Sequence, residues 1–176
     1  TVRLASVMRK RRTLVQAQNI AASRRISQES VLAQLEAFVQ DVAMCSLQMD
    51  GVQNQTLARL YANHQRYMEG LFNSLLVSGQ WTEETAGSYR SLLLSPIVDH
   101  TDAQLIVSAL TMALLVVFDV EKWLTLVAVY EQSDDVALRQ RAIVGLALTM
   151  PDEGVVSLFP NVGEALHRLS STEQVR

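Results

Sequence analysis

Residues 102–115, DAQLIVSALTMALL, return 33 positions later as residues 135–148, DVALRQRAIVGLAL. Asp102 aligns with Asp135, Leu105 with Leu138, Ala109 with Ala142 and Leu115 with Leu148, and upstream Leu93 aligns with Leu126. The aspartates stand where a helix opens, and the other matches recur at the three-to-four-residue spacing of a buried helical face. Self-similarity at this period marks stacked helical units, each burying its apolar side on the next. The spacing predicts equivalent interior positions for Leu105, Ala109, Leu138 and Ala142, and core positions for Leu115 and Leu148.

Outward from this pair the helical period continues. Residues 102–117 are apolar nearly all round, so that helix is expected among the most buried, opened by Asp102 as its N-cap. Helices are predicted over 82–94, stopped by Ser95-Pro96, then over 120–131 and 133–149, with Pro151 ending the last. Two weaker ones follow over 152–159 and 162–170. Connections of two to seven residues make neighbouring helices antiparallel.

The first half reads as longer helices. Over 54–78 the apolar positions Leu57, Leu60, Tyr61, Tyr67, Met68, Leu71, Phe72, Leu75 and Leu76 form one stripe, with Asn54 as N-cap and Gly79 as stop. Over 27–49, Val31, Leu32, Leu35, Phe38, Val39, Val42 and Cys45 do the same, and Asp50-Gly51 turns the chain between them. Leu71 and Leu75 are expected to pack near Phe38, Val42 and Cys45. A third helix is expected over 2–24, with arginines in part of its stripe.

Residues 120–149 resemble a HEAT-type repeat. The first helix runs through Leu124, Val127 and Tyr130, a turn carries Asp134-Asp135, and the second helix follows with Val136, Arg139, Ala142 and Leu146. Residues 88–117 resemble a more degenerate copy. The resemblance implies a polar ladder with Arg139 as its basic member, although Ile106 stands at the matching place in the earlier copy. More closely, residues 80–150 resemble an interior region of long bacterial tetratricopeptide-containing proteins, through LIVSALTMALL, FD and RAIVGLAL. That resemblance implies a helical-repeat scaffold and no chemistry.

Composition agrees with a helical body. Hydrophobic residues make up 49% of the 176, ample for a core, while seven glycines and three prolines are few for a turn-rich sheet protein. The single cysteine, Cys45, excludes an internal disulfide and reads as a buried, inert thiol. The longest uncharged apolar run, 103–118, is shorter than the roughly 20 residues of a membrane span. No secretory leader is evident, because the basic run before residue 13 is followed by a polar segment.

Residue types that could carry chemistry have structural explanations. Asp99, His100 and Asp102 are metal-ligand types, but a zinc site needs three or four converging ligands. His64 lies in the stripe of the 54–78 helix and is expected to be half-buried and hydrogen-bonded to a neighbour. Glu83 and Glu84 complement a helix N-terminus, as do Asp134, Asp135, Asp152 and Glu153. No phosphate loop, nucleophile elbow, Cys-x-x-Cys or His-Glu-x-x-His motif occurs.

Charge is unevenly placed. Residues 1–28 hold seven basic residues and no acid, whereas the rest of the chain holds eight basic against eighteen acidic residues, a net of −10. Within the basic segment, Arg9, Lys10, Arg11 and Arg12 are the candidate contacts to a partner or an anion.

These readings together predict one all-α domain over 1–176, with a long helical hairpin over 1–79 and HEAT-like pairs over 80–176. The pairs are expected to stack as a right-handed, α-solenoid-like array of antiparallel helices, and the chain reads as a piece of a larger cytoplasmic protein. The expected role is a non-catalytic scaffold binding a protein partner or the remainder of its parent chain. No cofactor, metal or small-molecule substrate is expected. The alternative is nucleic-acid binding through the basic N-terminal helix.

Overall fold

Capping residues set the spacing of the helices. The structure, a computed structural model, describes residues 28–47 and 53–171. They form α1 (Gln28–Ser46), α2 (Gln53–Leu76), α3 (Glu83–Leu93), α4 (His100–Val116), α5 (Val120–Gln132), α6 (Val136–Leu148), α7 (Glu153–Leu158) and α8 (Pro160–Ser171), with no strand among the described residues. The helix expected over 2–24 and the turn at Asp50-Gly51 lie outside them.

Five successive helices open on a side chain that accepts a backbone N–H. Thr82 accepts from Thr85, Asp99 from Thr101, Asp119 from Lys122, Asp135 from Ala137 and Leu138, and Asp152 from Val155. Each satisfies donors that the first helical turn leaves without partners. The cap of α4 is therefore Asp99, with its Oδ1 2.8 Å from the Thr101 nitrogen, and not Asp102. The helix begins two residues earlier than the sequence pattern suggested, which carries Asp102 inside the first turn and leaves its carboxylate free for a tertiary partner. Asn54 likewise falls inside α2 rather than ahead of it.

Helices pack both on the next element and on the one two places along the chain. α1 lies against α2 and α3, α2 against α4, α3 against α5, and α4 against α6. The most extensive contacts are those of α6 with α5 and α4. α3 and α4, though consecutive in the chain, make little contact with each other. At the C-terminal end, α8 packs on α5 and α7. The result is a continuous core whose most fully buried members include Trp123, Ile106, Val107, Leu110, Leu126, Val127 and Val129.

The burial of α4 and α5 follows from their composition. Nine residues of α4 and eight of α5 are buried, so these two helices supply much of the interior. Ala109, Leu138 and Ala142 are interior as the repeat predicts, and Leu105 packs partly buried against the same core. Leu71, Leu75 and Cys45 are buried too. Leu115 and Leu148 are not: both matching leucines stand exposed near the C-terminal ends of α4 and α6. Their one-face spacing is the same as that of core residues, but among the described residues none seals that end of the two helices.

Candidate interaction surface

Three arrangements in the described residues combine polar chemistry or unusual exposure. Arg9, Lys10, Arg11 and Arg12 are not among them, because they lie outside the described residues.

The first arrangement joins α2 to α4. His64 Nε2 lies 2.9 and 3.0 Å from the two Asp102 carboxylate oxygens, and both side chains are largely buried. Phe38 of α1 stacks on the imidazole at 3.7 Å and 8°, while Tyr61 meets Phe38 edge-on. Burial pushes the Asp102 carboxyl upward, and the bond from His64 opposes that shift without cancelling it. A groove of about 220 Å³ opens beside the ring, with Gln34, Phe38, Asp41, Asn63 and Tyr67 on its walls. A histidine–aspartate pair serves nucleophilic catalysis when the ring's other nitrogen faces a hydroxyl or thiol. The hydroxyl lining this groove is that of Tyr67, a phenol whose pKa burial pushes up to about 12. The His64–Asp102 pair forms a clamp: one polar bond, roofed by an aromatic ring, joins α2 to α4. His64 is partly buried and hydrogen-bonded, as its place in the stripe suggested; its partner was not legible, because it is 38 residues away.

The second arrangement is a buried lysine. Lys122 sits in the first turn of α5 with its Nζ 2.9 Å from the Gly79 carbonyl, 3.2 Å from the Ser78 carbonyl and 3.6 Å from Asp119 Oδ2. Asp119 in turn caps α5 through Oδ1 and accepts the Trp81 N–H through Oδ2 at 2.8 Å. Trp81 completes the cluster, stacked on Tyr89 and facing the ammonium at 5.6 Å. Burial pulls the Lys122 pKa down, and Asp119 works against that. A desolvated lysine can act as a nucleophile. Here the ammonium donates to two carbonyl oxygens and ion-pairs with Asp119, and the α2–α3 connection is pinned to the start of α5. The FD-x-x-K spacing that builds this staple was visible at residues 118–122, but nothing local marked the lysine as buried.

The metal-type cluster does not converge. Asp99 caps α4, His100 is exposed, and Asp102 turns to His64. Among the described residues no three His, Cys, Asp or Glu side chains are placed to share an ion. Among the same residues no helix is long and apolar enough to cross a membrane.

The third arrangement is a surface. α4 and α6 lie side by side in one direction, because Arg141 Nη1 donates to Ser108 Oγ at 2.7 Å and Gly145 abuts Thr111 one turn later. Beside and beyond these contacts, Met112, Leu115, Val116, Val144, Leu148 and Met150 are 47–64% exposed. No charged residue occurs over 103–118 or 142–151. Scattered exposed aliphatics are ordinary on a protein surface; a run of them on two adjoining helices marks a contact surface.

Arg139, the ladder residue implied by the HEAT resemblance, places its guanidinium 5.8 Å from the Tyr130 ring centroid. A search of family models, curated proteins and solved structures finds no significant match to this chain.

Proposed function

We propose that the chain is a segment of a HEAT-like α-solenoid, a right-handed stack of antiparallel helix pairs that serves as a non-catalytic scaffold for protein–protein interaction. The observation that carries this reading is the Arg141–Ser108 hydrogen bond, which joins residues one 33-residue period apart on neighbouring helices. In a stack of like units, equivalent positions of successive units lie next to each other. The packing of α1 on α3, α2 on α4, α3 on α5 and α4 on α6 supports the same layering. On this reading the parent is a longer cytoplasmic, tetratricopeptide-related bacterial protein, and partners bind its exposed helix faces.

The second reading, nucleic-acid binding through Arg9, Lys10, Arg11 and Arg12, rests on the charge asymmetry of the sequence. It is disfavoured by the net −10 of the remaining chain, which repels a phosphate backbone. One experiment separates the two. The tagged full chain, isolated from its native cells, is expected to retain a stoichiometric protein partner after nuclease treatment. The purified chain is expected to bind duplex and single-stranded nucleic acid only feebly at physiological salt. Sub-micromolar nucleic-acid binding, lost when Arg9, Lys10, Arg11 and Arg12 are replaced by glutamine, would reverse the ranking. Its salt slope should then fall by about one for each phosphate contact removed.

A further inference from the structure

The aliphatic patch at the C-terminal ends of α4 and α6 has a charge environment that names its occupant. Its six side chains carry no charge, so its centre recognises only apolar surface. Its rim is negative. α4 and α6 both end beside the patch, and neither has a basic residue in its last turn. Each helix C-terminus therefore presents its free carbonyls and roughly half a negative charge unneutralised. Asp152, which caps α7, and Glu153, both exposed, follow Met150 and Pro151 in the chain. Toward the N-terminal ends of the two helices stands Arg141, bonded to Ser108.

We infer that this patch docks an amphipathic helix of a partner protein, aliphatic on the face that meets Met112, Leu115, Val144 and Leu148 and basic on the flank that meets the two helix C-termini. The inference rests on the scaffold reading and specifies the surface that reading uses. A helix suits the site because two parallel helices leave a shallow trough along their seam, which accepts one row of side chains spaced three and four apart. The seam is closed beneath by the Gly145–Thr111 contact, so the trough is formed before the partner arrives. The polarity is set as well: the basic flank lies toward the C-terminal ends of α4 and α6, away from Arg141.

The test uses the full chain and two fluorescein-labelled synthetic helices of identical leucine pattern, one with lysine and one with glutamate at every polar position. Anisotropy titrations at physiological salt should show the leucine–lysine helix binding at least about tenfold more tightly than the leucine–glutamate helix. The double substitution Leu115→Gln and Leu148→Gln leaves net charge unchanged and, at exposed positions, should leave the fold intact by circular dichroism. It should weaken leucine–lysine binding by about tenfold or more. Undiminished binding to this variant would overturn the inference, since the attraction would then be acidic surface alone. Dimerisation of the wild-type chain that disappears in the variant would also overturn it, assigning the patch to a second copy. If neither helix binds while the chain still retains a protein partner from its native cells, the docking surface falls and the scaffold reading stands. If the chain retains no protein partner yet binds the leucine–lysine helix through the patch, the scaffold reading loses its cellular support and the surface chemistry holds.

Discussion

Gly145→Ala is the sharpest probe of the α4–α6 seam. A glycine in mid-helix ordinarily costs about 1 kcal/mol relative to alanine, so the substitution stabilises most helices. At Gly145 a Cβ would collide with the Thr111 hydroxyl, stand 3.4 Å from Thr111 Cγ2 and lie 3.2 Å from Leu126 Cδ1. Leu126 can yield at the end of its side chain. Thr111 cannot yield easily, because it is β-branched, buried, and held by a 2.9 Å bond from its hydroxyl to the Val107 carbonyl. Overpacking of this kind costs about 1–3 kcal/mol. After subtraction of the propensity gain, the net should be about 1 kcal/mol of destabilisation, or roughly 2–4 °C in Tm for a chain of this size. Urea and thermal unfolding followed at 222 nm measure it. The same change made on a Thr111→Ala background meets only Leu126 and should be neutral or mildly stabilising, giving a coupling of about 1–2 kcal/mol. Gly70 and Gly87, also helical but with open space around the Cβ position, serve as controls: alanine should stabilise at each by about 0.5–1 kcal/mol. Gly145→Ala behaving like those controls would refute the close approach of α4 and α6.

Three further expectations test the clamps. Lys122→Met removes the ammonium but keeps the stem, leaving Asp119 buried with its two N–H donors alone; it should cost about 3 kcal/mol, and Lys122→Arg should not rescue it in urea titrations. Asp99→Ala should cost about 0.5–2 kcal/mol by uncapping α4, whereas Asp102→Ala should cost about 1–3 kcal/mol by orphaning His64; Asp102→Asn should recover much of the latter but Asp99→Asn should hardly differ from wild type. Burial raises the Tyr89 pKa from 10.0 to about 12, so the folded chain holds this proton more tightly than the unfolded one. Stability should therefore be undiminished below pH 10 and fall as pH rises from 10 toward 12, by on the order of 2 kcal/mol from this group, and Tyr89→Phe should flatten that decline in urea titrations across the same range.

The polar clamps show why chemistry was harder to read than helices. A helix announces itself through residues three and four apart, which the chain presents locally. His64 and Asp102 are 38 positions apart and Lys122 and Gly79 are 43 apart, so no local pattern records that they meet. Asp102 was misread for the same reason. An aspartate near a helix start looks like a cap until the helix is seen to begin at His100 with Asp99 already in place.

Helix number and order after residue 28 and the burial of α4 were determined by the sequence itself, because amphipathic spacing is a local property. The 33-residue period also announced that Ser108 and Arg141 occupy equivalent places, though not that they touch. Only tertiary structure decided which apolar faces are covered. Leu115 and Leu148 share the spacing of Ala109 and Ala142, yet the first pair is open and the second sealed. Burial depends on what lies across from a residue, and that neighbour belongs to another helix. The periodic stripe could therefore place all four on apolar helices, but the exposure of one end of α4 and α6 was set by how far the adjoining helices extend over them.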